Sequence, residues 1–259
     1  MRMDAVMRFA DKVVLATGVA TGLGCVTAEL FAREGAKLVL VDYNEPDLKA
    51  LVARLRATGA TVSAVTGDVS QSDVAESAIA RVEAEHGRLD ILINNAGINP
   101  VGNIVETPDE IWDRTIAVNL RSAYLFSSRA IPVMERFGGG TIVTTASIAS
   151  FKASTAEAAY SVSKAGLLQL TKVIAKDFGA RGIRANAVCP GFLPKYMADR
   201  LQGASEQQQE TRSRRAAELV PMGREGTYEE IADIIAFLAS DQSSYMNGAA
   251  VVADGAQTV

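Results

Sequence analysis

The chain has 259 residues, with 26 Lys and Arg against 30 Asp and Glu, and a formal net charge of −4. This length suits one large domain or two small ones. The mild acidity argues against a general nucleic-acid binder or an anionic-membrane binder. With 48% hydrophobic and 22% charged residues, the composition is that of an ordinary globular protein able to bury its own core.

Cys25 and Cys189 stand alone, with neither metal-ligand spacing nor a disulfide framework. No apolar run reaches about 18 residues, the length of a spanning helix. The first residues, Met1 to Arg8, lack the apolar stretch of a signal peptide. A soluble cytoplasmic protein without a resident metal is expected. The single histidine, His86, excludes a His-based triad or multi-His site unless it acts alone. Its setting, Glu83-Ala84-Glu85-His86-Gly87, reads as an exposed helix C-terminus.

Taken in order, Lys12 to Thr17 reads as a buried parallel strand. It runs into Thr17-Gly18-Val19-Ala20-Thr21-Gly22-Leu23-Gly24 and then an amphipathic helix ending at Gly35. Strand, glycine-rich turn and helix is the context of a dinucleotide fingerprint. Glycines admit backbone N–H groups close to a pyrophosphate, and the helix N-terminus favours its charge. The plainer reading is a glycine-rich turn without a ligand. Lys37 to Asp42 is a second buried strand. Asp42 lies 18 residues beyond Gly24, near the offset for an acid that accepts from the adenosine ribose. A helix cap or exposed turn acid is the alternative. Neither Thr21 nor Tyr43 is a cation able to neutralise a 2′-phosphate, so the site reads as NAD rather than NADP.

A helix over Glu45 to Ala57, a strand over Thr61 to Thr66 and a helix over Gln71 to Glu85 follow. The next strand spans Leu89 to Asn94 and closes on Asn95-Ala96-Gly97. Asp109 to Arg136 is a long helical region. Asn119 sits within it among apolar residues, where an asparagine is usually a cap or exposed. Thr141 to Ala146 is a fifth strand ending at Ser147. A helix then carries Tyr160 and Lys164 and runs to about Phe178. Its apolar residues, Val162 and Val173 among them, go nearly all round, so it is expected to be buried on more than one side. Ile183 to Val188 is the sixth strand, closed by Cys189-Pro190-Gly191. Thr227 to Glu230 has a capping-box pattern, and Ala249 to Ala253 is the last strand. There is no internal repeat and no linker. The expectation is a doubly wound parallel sheet with helices on both faces: a short N-terminal extension over 1–10, one Rossmann-type domain over 11–259, and a substrate-covering lid over 192–215.

Tyr160 and Lys164 are four apart and share one helix face. An ammonium beside a phenol lowers the phenol pKa and makes it an acid/base near neutral pH. Alone, such a pair is also what an exposed helix surface presents.

The chain resembles the short-chain dehydrogenase/reductase family over essentially its whole length. The matching strings are Thr17 to Gly24, Asp68-Val69, Asn94 to Gly97, Asn119, Ser147, Tyr160-x-x-x-Lys164, Asn186 and Pro190-Gly191. The resemblance implies an NAD-dependent oxidoreductase that interconverts a secondary alcohol and a ketone, without nucleic-acid or membrane partners, assembled as a homotetramer or dimer. It implies Asn119, Ser147, Tyr160 and Lys164 as the catalytic set. Tyr160 is the acid/base, Ser147 binds the substrate oxygen, Lys164 tunes the tyrosine and holds the nicotinamide ribose, and Asn119 positions a water. Implied for NAD are Gly18, Thr21, Gly22, Leu23, Gly24, Asp42, Tyr43, Asp68, Val69, Asn95, Ala96, Gly97, Tyr160, Lys164, Pro190, Gly191, Phe192 and Leu193. An NADPH-dependent 3-oxoacyl reductase shares these catalytic residues, with Asp42 against it. A catalytically dead dinucleotide sensor needs a damaged catalytic set. The chain departs from the family pattern at Ala146, Lys195 and Ala256. Lys195, with Arg212, Arg214 and Arg215 in the lid, is expected at the surface, on the pyrophosphate or on an anionic substrate. Asn99, Pro100, Ala149, Phe151, Glu157 and Phe192 are expected to line the substrate pocket.

Overall fold

The computed structural model describes residues 7–194, 214 and 218–259. Seven parallel strands form one sheet in the order β3-β2-β1-β4-β5-β6-β7. They are β1 (Val13–Thr17), β2 (Lys37–Asp42), β3 (Val62–Thr66), β4 (Ile91–Asn94), β5 (Gly140–Thr145), β6 (Ile183–Pro190) and β7 (Ala250–Ala253). The strands are rich in Val, Ile, Leu and Ala because helices cover both faces. β1 divides the core by alternation. Val14 and Ala16 pack with Leu38, Leu40 and Ile91 beneath α1 (Gly22–Arg33), α2 (Glu45–Ala57) and the later helix Tyr228–Ala239. Val13 and Leu15 pack on the other face with Val39, Val41 and Leu92. That face is covered by α3 (Ser72–His86), by a helix resuming at Ser122–Glu135 and by the helix Ala158–Phe178.

The predicted region Asp109 to Arg136 is helical throughout but not uniform. It comprises α4 (Asp109–Ile116), a π-turn over Ala117–Arg121, and α5 (Ser122–Glu135). α6 is Ala158–Phe178 and α7 is Tyr228–Ala239. The capping box at α7 forms as the pattern predicts: Thr227 Oγ1 accepts from Glu230 N at 3.2 Å, and Thr227 N donates to Glu230 Oε2 at 2.8 Å. β6 runs on to Pro190 because β7 continues beside it, with Pro190 paired to Ala253. Among the described residues no helix is long and apolar enough to cross a membrane.

Three local readings change. His86 is the last residue of α3, but its ring is only 10% exposed, so it is shielded rather than solvated. α6 is not covered all round within the single chain: Val162 is 50% exposed and Val173 44%. The segment before residue 11 is docked from Met7 onward. Phe9 is fully buried, its ring stacks on Phe31 at 4.3 Å, and the Arg8 guanidinium pairs with Glu34. Phe9 therefore closes the core under α1. Truncating a fully buried aromatic costs about 3–5 kcal/mol. Phe9→Ala is expected to lower the melting temperature by many degrees in calorimetry. A shift of under two degrees would show that this segment is not part of the core.

Candidate active site

β1 pairs with β2 on one side and β4 on the other. The sequence of connections reverses direction there, and a crevice opens beyond the strand ends. The glycine turn fills that point. Gly18 has φ +66°, and a Cβ on it would lie 2.5 Å from Ala96 Cα. A Cβ on Gly24 would lie 2.0 Å from the Gly18 carbonyl oxygen. These glycines are required by backbone contact alone, and they add no side chain of their own over the first turn of α1, whose N–H groups have no intrahelical partner. Thr21 is the N-cap of α1, Gly22 has φ +55°, and Leu23 packs into the core.

The turn is braced from both flanks. Asp42, only 7% exposed, accepts from Ala20 N at 2.9 Å through Oδ2 and from Asn44 N at 2.9 Å through Oδ1. It is neither an exposed turn acid nor a helix cap, since Asn44 caps α2. Asn95 donates through Nδ2 to the Gly18 carbonyl at 2.8 Å and accepts from the Thr145 hydroxyl at 3.1 Å. Ala96 and Gly97 follow it along the crevice. This cradle fits the pyrophosphate and ribose of a dinucleotide.

Ser147 lies two residues beyond β5 and caps a single 3-10 turn, Ile148–Ser150, whose Ala149 N donates to Ser147 Oγ at 3.1 Å. Tyr160 lies in the first turn of α6. Lys164 is 3% exposed and donates through Nζ to the Thr145 carbonyl at 2.7 Å, with Nζ 5.6 Å from the Tyr160 ring centroid. Burial lowers the Lys164 pKa to about 8. The Tyr160 phenol does not follow the expectation of a lowered pKa. Burial pushes it up, hydrogen bonding to Ser147 pulls it down, and the Glu157 carboxylate pushes it up again. Desolvation prevails over the Ser147 bond, while Lys164 turns its ammonium to the Thr145 carbonyl.

Asn119 is 1% exposed, not a cap or surface residue. The π-turn over Ala117–Arg121 carries it inward. Its Oδ1 accepts from Ile98 N at 2.8 Å, and its Nδ2 donates to Ile98 O and to Ser163 Oγ, each at 2.9 Å. Both amide N–H groups are thus committed, and the side chain holds the segment after β4 against α6. Ser163, Thr145 and Ala20 complete this arrangement and were not singled out by spacing. A short polar residue three beyond Tyr160 was the one available signal.

The remaining expected residues fall as follows. Asp68 and Val69 follow β3. Burial raises the Asp68 pKa, but its bonds to Arg114 and Ser70 prevail and leave it below the ordinary value. Its Oδ2 pairs with Arg114 at 2.5 Å, so this carboxylate ties β3 to α4. Val69 is buried and Tyr43 is 63% exposed. Pro190 ends β6. A Cβ on Gly191 would meet Asp254 Cα at 2.8 Å. Phe192 O accepts from Gly226 N at 3.0 Å, and Leu193 packs against the core. Of the expected lid, 192–194 and 214 are described; Lys195, Arg212 and Arg215 lie outside the described residues.

Fold and site together define a nucleotide-dependent oxidoreductase. The profile of the family described as enoyl-(acyl carrier protein) reductase matches residues 18–258. An uncharacterised oxidoreductase of Thermotoga maritima is 40% identical, over 97% of this chain and 99% of its own. A 3-oxoacyl-[acyl-carrier-protein] reductase of the same organism is 36% identical over 96% of this chain and 98% of its own. The crystal structure of levodione reductase superposes with a TM-score of 0.90 at 34% identity, covering 96% and 98% of the two chains. The chain belongs to the short-chain dehydrogenase/reductase family, and is an NAD(P)-dependent oxidoreductase of that family.

If the glycine turn holds the nucleotide, Gly24→Ala forces Gly18 and α1 apart. NAD affinity measured by calorimetry is expected to fall more than about tenfold, with far-ultraviolet circular dichroism unchanged. Unaltered affinity would remove the turn from the binding site.

Proposed function

We propose that the protein is an NAD-preferring oxidoreductase that interconverts a secondary alcohol and its ketone. The observation that carries this reading is the Ser147 hydroxyl hydrogen-bonded to a half-buried Tyr160 phenol, with the buried Lys164 ammonium behind it, beside the glycine cradle. When bound, the nicotinamide supplies hydride acceptance or donation. The residues that would hold it are Gly18 to Gly24, Asp42, Asn95 to Gly97, Lys164 and the segment from Pro190.

The chain's own part is proton transfer and positioning. Tyr160 Oη takes the alcohol proton in oxidation and returns it in reduction. Ser147 Oγ donates to the substrate oxygen and stabilises its developing charge. Ala149 N, donating to Ser147 Oγ, leaves the hydroxyl hydrogen free for this role. Lys164 keeps a positive charge below the phenol. Asn119 fixes Ile98 and, through Ser163, the turn of α6 that carries Tyr160.

NAD preference rests on Asp42. A carboxylate next to a 2′-phosphate is opposed by a few kcal/mol, to order of magnitude, at a surface-like dielectric. The exposed Val162 and Val173 on α6 support assembly into dimers or tetramers through this helix. A second reading, an NADPH-dependent 3-oxoacyl reductase, draws on the relative of that name.

Tyr160→Phe is expected to lose about 10²–10⁴-fold in turnover while retaining NAD binding. Near-normal turnover would refute the acid/base assignment. Because the phenol is pushed up, oxidation should still be rising with pH above 8, when the phenolate forms. Reduction, which uses the protonated phenol, should hold at neutral pH and fall in alkali. Opposite slopes would contradict the assignment.

Cofactor choice is a separate measurement. NAD should exceed NADP in kcat/KM by at least about tenfold. Asp42→Asn, which keeps one acceptor for Ala20 N while shedding the charge, should narrow that gap. Equal kcat/KM for the two nucleotides in the unaltered protein would favour the second reading.

A further inference from the structure

Glu157 occupies the N-cap position of α6, three residues before Tyr160, yet its side chain does not cap the helix. Glutamate is not one of the usual N-capping residues, though its charge is favourable near a helix N-terminus. Here Oε1 instead accepts from Asn99 Nδ2 at 2.9 Å. The backbone holds the two residues together. Gly102 N donates to Ala156 O at 2.8 Å, Ala158 N donates to Gly102 O at 3.3 Å, and Gly102 bridges Glu157. Ala156 takes up a left-handed φ of 58° to make this turn. A non-glycine residue in that region is strained, and such strain gathers at sites that need a fixed geometry.

Two acceptors result. The Asn99 bond to a carboxylate sets which end of the amide is nitrogen, since only the N–H end can donate. Asn99 Oδ1 therefore points away from Glu157, and it is buried with no donor among the described residues. Glu157 Oε2 also lacks a protein donor among the described residues. The carboxylate lies near enough to Tyr160 to raise the phenol pKa. A buried acceptor without a donor, such as Asn99 Oδ1, is unfavourable. The proton-transfer groups Tyr160, Ser147 and Lys164 use neither atom.

We infer that Glu157 and Asn99 form a subsite for a hydrogen-bond donor carried by the substrate near its reacting carbinol. The inference rests on the alcohol–ketone reading above and narrows its substrate class. Donor-bearing alcohols, polyhydric ones foremost, fit this subsite. A carboxylate in the same place meets Glu157 and is repelled.

Four secondary alcohols of matched size test this: 2-butanol, 1,2-propanediol, 1-amino-2-propanol and lactate. The first three share the carbinol and a methylene and differ only in a terminal methyl, hydroxyl or ammonium; lactate carries its carboxylate directly on the carbinol carbon. The diol or the amino alcohol is expected to exceed 2-butanol at least about tenfold in kcat/KM, with lactate lowest. A lead by the diol identifies a neutral donor, and a lead by the amine a cationic one. Parity of 2-butanol with both, or a lead by lactate, overturns the inference. Glu157→Gln keeps the shape and removes the charge. It should compress the spread among the four and move the alkaline limb of oxidation to lower pH, because a carboxylate that raises the Tyr160 pKa is gone. Here Tyr160 also faces Ser147 and Lys164, neither of which is altered. A purely structural Glu157 would leave the spread among the four unchanged.

If none of the four is oxidised, the alcohol–ketone reading fails on its own account. Saturation-transfer NMR on the NAD-loaded protein then decides the subsite. Binding of the diol or amino alcohol above 2-butanol, weakened in Glu157→Gln, sustains it; equal binding of all four refutes it.

Discussion

One chain of hydrogen bonds crosses the C-terminal ends of four strands, and the site depends on it. Lys164 Nζ donates to the Thr145 carbonyl, and the Thr145 hydroxyl donates to Asn95 Oδ1. Asn95 Nδ2 donates to the Gly18 carbonyl, Gly18 N to Val41 O, and Ala20 N to Asp42 Oδ2. The path runs from Lys164 through β5, β4 and β1 to the acid that ends β2. Strand ends leave backbone groups without ladder partners, and these must be satisfied some other way. Here they are satisfied by one another and by Asn95. The glycine turn and Lys164 are thus joined along one edge, set by the register of the parallel sheet.

Electrostatics at that edge are governed by burial. Lys164 falls from 10.5 to about 8, a differential cost to its charged form of a few kcal/mol. Tyr160 moves the other way, because its charged form is the deprotonated one. In water the two proton affinities nearly match; here they move apart, the lysine holding its proton less tightly and the phenol more tightly. Cys189 sits in the same enclosure. Burial carries its thiol up to about 11, which leaves it neutral and inert beside the lysine.

The sheet was legible because each strand is a short apolar run and each glycine turn is sharply punctuated. α2, predicted and found over Glu45–Ala57, carries its own signals in Asn44, Pro46 and the first-turn acids. The Tyr160–Lys164 pair and the glycine turn were legible for the same reason: local spacing fixes which side chains share a face. Asn119 was not. Its burial comes from a π-turn, where one extra residue rotates the side chain inward, and no periodicity marks that. Phe9 was missed because an isolated aromatic before the first strand has no period at all. The direction of the Tyr160 shift was missed because a pair rule accounts for one neighbour and not for the loss of water. Glu157 was placed at the pocket by its position, but its refusal to cap α6 needed coordinates.

The departures from the family pattern have separate physical grounds. Ala146 is 2% exposed and packs with Leu168, Ala187 and Cys189 in a small apolar cluster beneath Ser147. A hydroxyl there would need a partner in a place lined by carbon and sulfur. Ala256 stands where a glycine is common, and its φ of 72° explains why glycine is common there. An alanine in that region carries a strain of about 1–2 kcal/mol. Asp254 offsets it. Its Oδ1 accepts from Ala256 N at 3.0 Å, and its Oδ2 accepts from Thr258 N at 2.9 Å and from the Thr258 hydroxyl at 2.6 Å. Asp254 also bounds Gly191, whose missing side chain lets the end of β6 lie against it. The strained alanine is therefore held by the same residue that sets where the chain leaves β6 towards the substrate, which ties the C-terminal turn to the geometry of the site.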